Sequence, residues 1–363
     1  MKNRPKLISE ISCNHNNSLD QTKELIDKNI EAGTDFIKLQ LYSPKTITGK
    51  FNHKIEGTIW KNLDLYKLYK KTYMKKKMFD QIVDYCRKKN YPIFTSIFDE
   101  TGLLEVKKKK FSIIKISSFE IVDLNLIKSA ARQKREIILS TGMANLNEID
   151  LAIRTIRKHT ENFTLLHCIS SYPTKIKDLN LSTINFFKNF FKCNVGLSDH
   201  SMLFDGKSDP LVLYDLCKKY EAKYIEVHTT LSRKKDKDLM RRNKGGYDWA
   251  FSKEPNEIKK ISEFLKGNKK INIPKKKLNI FLGNPKLKNI KSENATRLLR
   301  PSIWVTKNIK KGERFKFKEN HNGNIDTLRP NNGLNIKFLD LVVNSRAIKN
   351  LKSGKPLKID DIK

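Results

Sequence analysis

The chain has 363 residues, 38% of them hydrophobic, and carries 74 Lys and Arg against 39 Asp and Glu, a formal charge of +35. It is longer than one ordinary domain, and no apolar run approaches the ~18 residues of a membrane helix. The opening MKNRPKLISEIS lacks the apolar stretch of a signal peptide.

Eight short apolar runs punctuate the first 230 residues in order: Leu7–Ile11, Phe36–Leu41, Pro92–Thr95, Ile113–Ile116, Glu136–Leu139, Phe163–Leu166, Asn194–Leu197 and Tyr224–Val227. Most end in polar clusters. Helical periodicity fills the gaps. Leu19–Ala32 reads as an amphipathic helix, with Ser18 as N-cap and Gly33 as its stop, and Phe79–Lys88 and Asn147–Arg157 follow the same logic. Eight buried parallel strands alternating with helices predict a TIM (β/α)8 barrel, whose chemistry sits at the C-terminal strand ends. A long excursion, Ser43–Met78, carries Trp60, Tyr66, Tyr69 and Tyr73, and loops of that length usually cover a site.

The barrel pattern occupies residues 1–266. Residues 267–296 are rich in Lys and Asn, carry Pro274 and Pro285, and read as a linker. Residues 297–363 read as a small β-rich domain with Gly turns and a near-repeat, IKKGERF and LKSGKPL. The lysine runs are short and dispersed, with no arginine-rich stripe. The charge therefore reads as a solvated surface rather than a nucleic-acid face, and its field helps to draw in an anionic small substrate. Cys13, Cys86, Cys168, Cys193 and Cys217 form no CxxC, which suits reduced thiols in a cytoplasm.

Side chains at i and i+2 of a strand share a face, so Lys38 and Gln40 point the same way. A lysine within an apolar strand is costly unless it meets an anion. Lys115 repeats the pattern two strands later. Together the two lysines suit a phosphate or carboxylate; the alternative is a buried ion pair with Glu10 or Glu120. Ser198 and His200 share a face on the seventh strand, as do Glu226 and His228 on the eighth. Two imidazoles on adjacent strand ends suit either one shared metal or two hydrogen-bonded rim residues. His53, His159 and His321 read as surface residues. Asp248 suits a general base or a turn residue after Gly245–Gly246. Cys13 and Cys168 lack a base–orienter pair and read as buried thiols.

The phrases SEISCNHNNSLDQTKELIDKNIEAGTDFIKLQLY, STGMAN, SSYPT and GLSDHS resemble the phosphoenolpyruvate-dependent sialic acid synthase family. Residues 297–363, with LRPNNG, resemble its C-terminal antifreeze-like (SAF) domain. EGTIWKNLDLYKLYKKTY, KISSFEIVDLNLIK and GGYDWAFSKEP resemble its pseudaminic branch, with the neuraminate and legionaminate branches as alternatives. The resemblance implies condensation of phosphoenolpyruvate with 2,4-diacetamido-2,4,6-trideoxy-L-altrose and water. His200 and His228 match metal ligands, for Mn2+ or Mg2+, with Co2+ or Fe2+ also compatible. Lys38, Lys115, Ser96, Ser118, Thr141, Ser170 and Ser198 match positions around phosphoenolpyruvate. Glu10 matches the carboxylate that manages the attacking water, and Glu120, Tyr172 and Asp248 match sugar-facing residues. Arg329 matches an arginine laid over a partner subunit's site, which implies a domain-swapped homodimer. The departures are Asn17 for glycine, Ser170 for asparagine, Val227 for lysine and Ile97 for proline; none removes a required group. A non-catalytic basic protein binding nucleic acid or glycan is the rival from another class, and it leaves the inward lysines and paired histidines without a role.

Overall fold

The computed structural model describes residues 4–51, 53–202, 210–318 and 323–363. All eight apolar runs are strands: β1 (Lys6–Glu10), β2 (Phe36–Leu41), β3 (Ile93–Ile97), β4 (Ile113–Ile116), β5 (Glu136–Ser140), β6 (Phe163–Cys168), β7 (Asn194–Asp199) and β8 (Tyr224–His228). Each pairs in parallel with the next, and β8 returns to β1 through Lys6↔Tyr224 to Glu10↔His228, closing the barrel. Burial on both faces explains why the runs read as continuous apolar sequence rather than as alternation.

The helix Leu19–Glu31 starts where Ser18 accepts the Gln21 N–H, and Gly33 follows it at φ +93°. The helix Leu146–Arg157 opens on a capping box between Asn145 and Glu148. The helix predicted at Phe79 starts at Lys76.

The barrel interior is layered. Ile8, Phe94, Ile113, Ile138, Leu166 and Tyr224 form a buried apolar plug, with Phe36 packed against it. Two residues further along the same strands stand Glu10, Lys38, Ser96, Lys115, Ser140, Cys168 and Glu226. The i, i+2 rule thus places a polar floor directly on the plug, at the C-terminal mouth.

His167 belongs to the opposite face of β6. It donates from Nε2 to the Leu179 carbonyl at 2.7 Å, and its Nδ1 has no hydrogen-bond partner. Burial lowers it from an ordinary 6.5 to about 4, as it does His15. Between those values the unfolded chain binds protons that the folded chain does not. Stability therefore falls as pH drops from 6.5 toward 4, by up to about 3 kcal/mol per histidine. Denaturant melts of His167→Gln across that window are expected to show a shallower pH dependence than the parent; an unchanged dependence refutes this assignment.

Residues 267–296 carry a helix, Lys275–Leu282, and two further turns, Lys291–Glu293 and Asn294–Arg297. This segment is packed against the barrel rather than free of it. Phe281 is buried, the Phe281 carbonyl accepts from Leu181 N, and the Leu287 carbonyl accepts from Leu146 N. Beyond it, β9 (Ser302–Val305) and β10 (Ile325–Leu328) pair antiparallel. The near-repeat is a structural one. Ile309 and Leu351, the first residues of the two phrases, exchange backbone hydrogen bonds at 2.9 and 2.8 Å. Gly312 and Gly354 both adopt φ +82°, and Phe315 and Leu357 are both buried. This C-terminal unit meets the 43–78 excursion above the barrel mouth, through a Thr48↔Arg329 bridge and Phe51 stacked on Trp304 at 3.9 Å.

Candidate active site

A cavity opens at the C-terminal strand ends. Its floor holds a buried charge network. Lys38 donates to Ser96 Oγ at 2.9 Å, is ion-paired with Glu10, and lies 3.6 Å from Glu226. Lys115 donates to Ser140 Oγ at 2.7 Å and approaches Glu226 only to 3.8 Å. Burial alone would raise the Glu226 carboxyl, but the Lys115 and Lys38 ammonium groups hold it at about 2. Burial would lower the Lys38 ammonium, yet Glu10 and Glu226 outweigh it and raise it. Lys115 goes the other way: burial lowers it, helped by the Lys38 charge and only partly countered by Glu226. Of the two cations, Lys115 is the less satisfied.

One wall carries the histidines, with ring centroids 5.2 Å apart. His200 Nδ1 lies 2.9 Å from the Ile169 carbonyl. A carbonyl only accepts, so Nδ1 carries a proton, and in the neutral ring the lone pair is on Nε2. His228 Nδ1 lies 3.2 Å from Asp248 Oδ2, which also accepts from Ser12 Oγ at 2.5 Å; Gln40 in turn donates to Ser12 Oγ at 3.0 Å. Burial would raise Asp248, but His228 and Ser12 hold it low. Asp248 is thus a buried cavity residue and not a surface turn. Ser12 adopts φ +49°, a left-handed strain at the centre of this chain of contacts. Trp60, Tyr172 and Phe251 complete the wall, with Trp60 Nε1 donating to the Tyr247 carbonyl at 2.7 Å. Ile47, Ile55, Leu65, Leu68 and Leu299 line an apolar lobe.

Arg329 closes the top. It donates to Tyr69 Oη at 2.6 Å, pairs with Glu120, and stacks over Phe119 at 4.5 Å. It does so over its own barrel. Within the chain, Arg329 thus joins the excursion and the C-terminal unit.

The cavity brings together Lys38, Gln40, Ser96, Lys115, Ser118, Tyr172, Ser198, His200, His228, Asp248 and Arg329. Four other predicted residues do not border it. Glu10 stands beside Lys38, its register partner and ion-pair partner. Glu120 is turned to Arg329 and Ser117, and burial raises its carboxyl despite that partner. Thr141 donates to the Leu166 carbonyl at 3.0 Å, and Ser170 stands behind Cys168 and Gly142. The strand face belongs instead to Ser140, two residues past Ile138. Sequence reasoning also passed over Glu226, although it shares a face with His228, and Ser12, for which the sequence holds no signal. His53 and His159 are partly exposed, and His321 lies outside the described residues.

Among the described residues, no group of three His, Cys, Asp or Glu is placed to hold a metal. The donor set still fits an ion held by two imidazoles, with water and substrate in the other positions: His200 Nε2 is free to coordinate, and its Nδ1–H···O=C bond fixes the ring as outer-shell partners of metal ligands do.

Residues 25–273 match the model of the NeuB family. The chain is also 36% identical to a pseudaminic acid synthase of Helicobacter pylori, over 99% of this chain and 98% of the relative. It belongs to the NeuB family. An N,N'-diacetyllegionaminic acid synthase of Campylobacter jejuni is 30% identical over 97% of this chain and 98% of that one. The crystal structure of the spore coat polysaccharide biosynthesis protein SpsE of Bacillus subtilis superposes with a TM-score of 0.79 at 27% identity, covering 100% of this chain and 96% of that one. The eight-stranded barrel and the family agree with what the motifs imply.

Proposed function

We propose that this NeuB-family chain is a pseudaminic acid synthase, joining phosphoenolpyruvate, 2,4-diacetamido-2,4,6-trideoxy-L-altrose and water to give pseudaminic acid and phosphate. The phosphoenolpyruvate C3 attacks the sugar aldehyde, water adds at C2, and phosphate leaves by C–O cleavage. One observation carries this function: a buried floor of two lysines and several serine hydroxyls faces a pair of imidazoles across one cavity.

Lys38 and Lys115 bind the phosphate and carboxylate as point charges, and Ser96, Ser118, Ser140 and Ser198 donate to their oxygens. Glu226, ionised far below neutral pH, anchors the lysines and is too weak a base to move protons itself. Glu10 and Glu120 act through the cations they hold, Lys38 and Arg329. His200 and His228 hold a divalent ion, Mn2+ or Mg2+ first among the candidates, which when bound supplies Lewis-acid polarisation of the aldehyde. Gln40 and Tyr172 orient the sugar, and Asp248 orients His228.

The apolar lobe of Ile47, Ile55, Leu65, Leu68 and Leu299 supports a 6-deoxy sugar with two acetamido groups. A sugar with a 6-hydroxyl there would lose water without gaining a partner. No helix among the described residues is long and apolar enough to cross a membrane, and the unpaired cysteines suit a cytoplasmic enzyme. The resemblance also favours a homodimer, in which two copies make by exchange the contacts that one chain makes with itself.

Phosphate release from phosphoenolpyruvate, measured with each candidate sugar, tests this function. Release is expected with the diacetamido-trideoxy-altrose, at least about tenfold faster than with the neuraminate or legionaminate precursor. No release with any of the three removes the synthase assignment; faster release with another sugar moves it to that branch.

A further inference from the structure

Two buried charges outside the cavity have no part in the chemistry above. Lys286 and Glu293, both from the 267–296 segment, are 5% and 0% exposed and pair at 3.0 Å. Glu293 Oε1 accepts the backbone N–H of Met143 at 2.7 Å and of Ser170 at 2.9 Å. Lys286 Nζ lies 3.4 Å from the Thr141 and Cys168 carbonyls. The pair therefore fastens the loop after β5 to the loop after β6, where the strand ladder has ended.

Those loops converge on one corner of the cavity. Gly142 N donates to Ser118 Oγ at 3.0 Å, and a Cβ on Gly142 would come within 2.1 Å of Ser170 Oγ and 2.8 Å of Ser118 Oγ. Met143 holds φ +61°, a conformation that a non-glycine residue keeps only when its surroundings enforce it. Ser118, Ser140 and Lys115 line the cavity beside this corner. Arg300, just beyond the segment, adds a bond to the Gly142 carbonyl at 3.3 Å.

A buried ion pair is an expensive way to fill a gap, since apolar side chains of equal volume avoid the desolvation cost. Apolar side chains do not accept two amide protons at set positions. We infer that Glu293 is a positioning residue for phosphoenolpyruvate: its two amide bonds set the loops that aim the serine hydroxyls at the phosphate. Through it, the segment leading to the C-terminal unit governs affinity for one substrate and not the other. This rests on the synthase function, so turnover by the unaltered chain is measured first; its absence counts against that function and not against Glu293 in particular.

Two double variants isolate the bonds. K286M/E293Q keeps an acceptor for both amides, and K286M/E293L removes it; neither leaves a buried charge unpaired. K286M/E293Q is expected to keep the KM for phosphoenolpyruvate within about threefold of the parent, and K286M/E293L to raise it about 30-fold, with the sugar KM within about threefold in both. Equal KM values for phosphoenolpyruvate in the two folded variants overturn the inference. So does an equal rise in both substrates' KM, or failure of K286M/E293L to fold where K286M/E293Q folds, either of which makes the bonds structural only.

Discussion

Replacing Lys115 with Met is expected to lower kcat/KM by at least about 10³-fold while leaving the melting temperature within a few degrees of the parent. Both halves follow from how the floor is neutralised. Lys38 sits against Glu10 with Glu226 at 3.6 Å, whereas Lys115 has only a hydroxyl, a carbonyl and a carboxylate oxygen at 3.8 Å. Its lowered pKa says the same thing in energetic terms: the protein alone does not offset its desolvation. An anion entering the cavity does, so that interaction is available to phosphoenolpyruvate and to charge developing on the departing phosphate. Methionine fills the same volume without a buried charge, and Lys38 at 3.6 Å remains to face Glu226. Circular dichroism and thermal melts establish the fold, and steady-state phosphate release gives the rate. Turnover within tenfold of the parent would reduce Lys115 to a structural ion-pair member.

The floor was legible because strands impose a period of two. Once Lys38 and Lys115 are placed on strands, the rule that aligns Lys38 with Gln40 also predicts the plug beneath, Phe36 under Lys38 and Ile113 under Lys115. Sequence and cavity differ where a run stops one residue short of its strand. Stopping the fifth run at Leu139 moved attention to Thr141, whose side chain faces away, and past Ser140, which bonds Lys115. Glu226 shares a face with His228, but its partners, Lys38 and Lys115, come from strands distant in sequence, so no local pattern marks it. Glu120 matches a sugar-facing residue by resemblance, and nothing local in the sequence reveals that it is bound to a guanidinium more than two hundred residues away.

The 267–296 segment failed for a different reason. Its lysines and asparagines are the composition of a solvated connector, and most of them are indeed exposed. What fixes the segment is a small number of inward groups, Phe281, Lys286, Glu293 and Thr296, and four residues do not shift a composition. The near-repeat was legible because glycines that must adopt positive φ are hard to replace, and Gly312 and Gly354 mark equivalent turns.

Removal of divalent metal is the second large effect expected. Chelation followed by desalting should lower phosphate release at least about 10³-fold, and Mn2+ or Mg2+ should restore it saturably. The geometry that leads to this is specific to two nitrogens. The Ile169 carbonyl commits His200 Nδ1 to a proton and leaves Nε2 as a ligand, while Asp248, tied to Ser12 and through it to Gln40, orients His228. His200→Ala and His228→Ala should each match the loss seen on chelation, and added metal should rescue neither fully, since one imidazole cannot hold the ion against water. Asp248→Asn keeps the contact with the ring but loses the charge; its outcome should be a weaker metal affinity, about 10- to 100-fold, with activity recovered at high metal. That separation distinguishes an orienting carboxylate from a substrate-binding one, which added metal would not rescue. Release that survives chelation unchanged would instead return both histidines to hydrogen-bonded rim residues, and the polarisation of the aldehyde would have to come from Arg329, the remaining cation over the mouth.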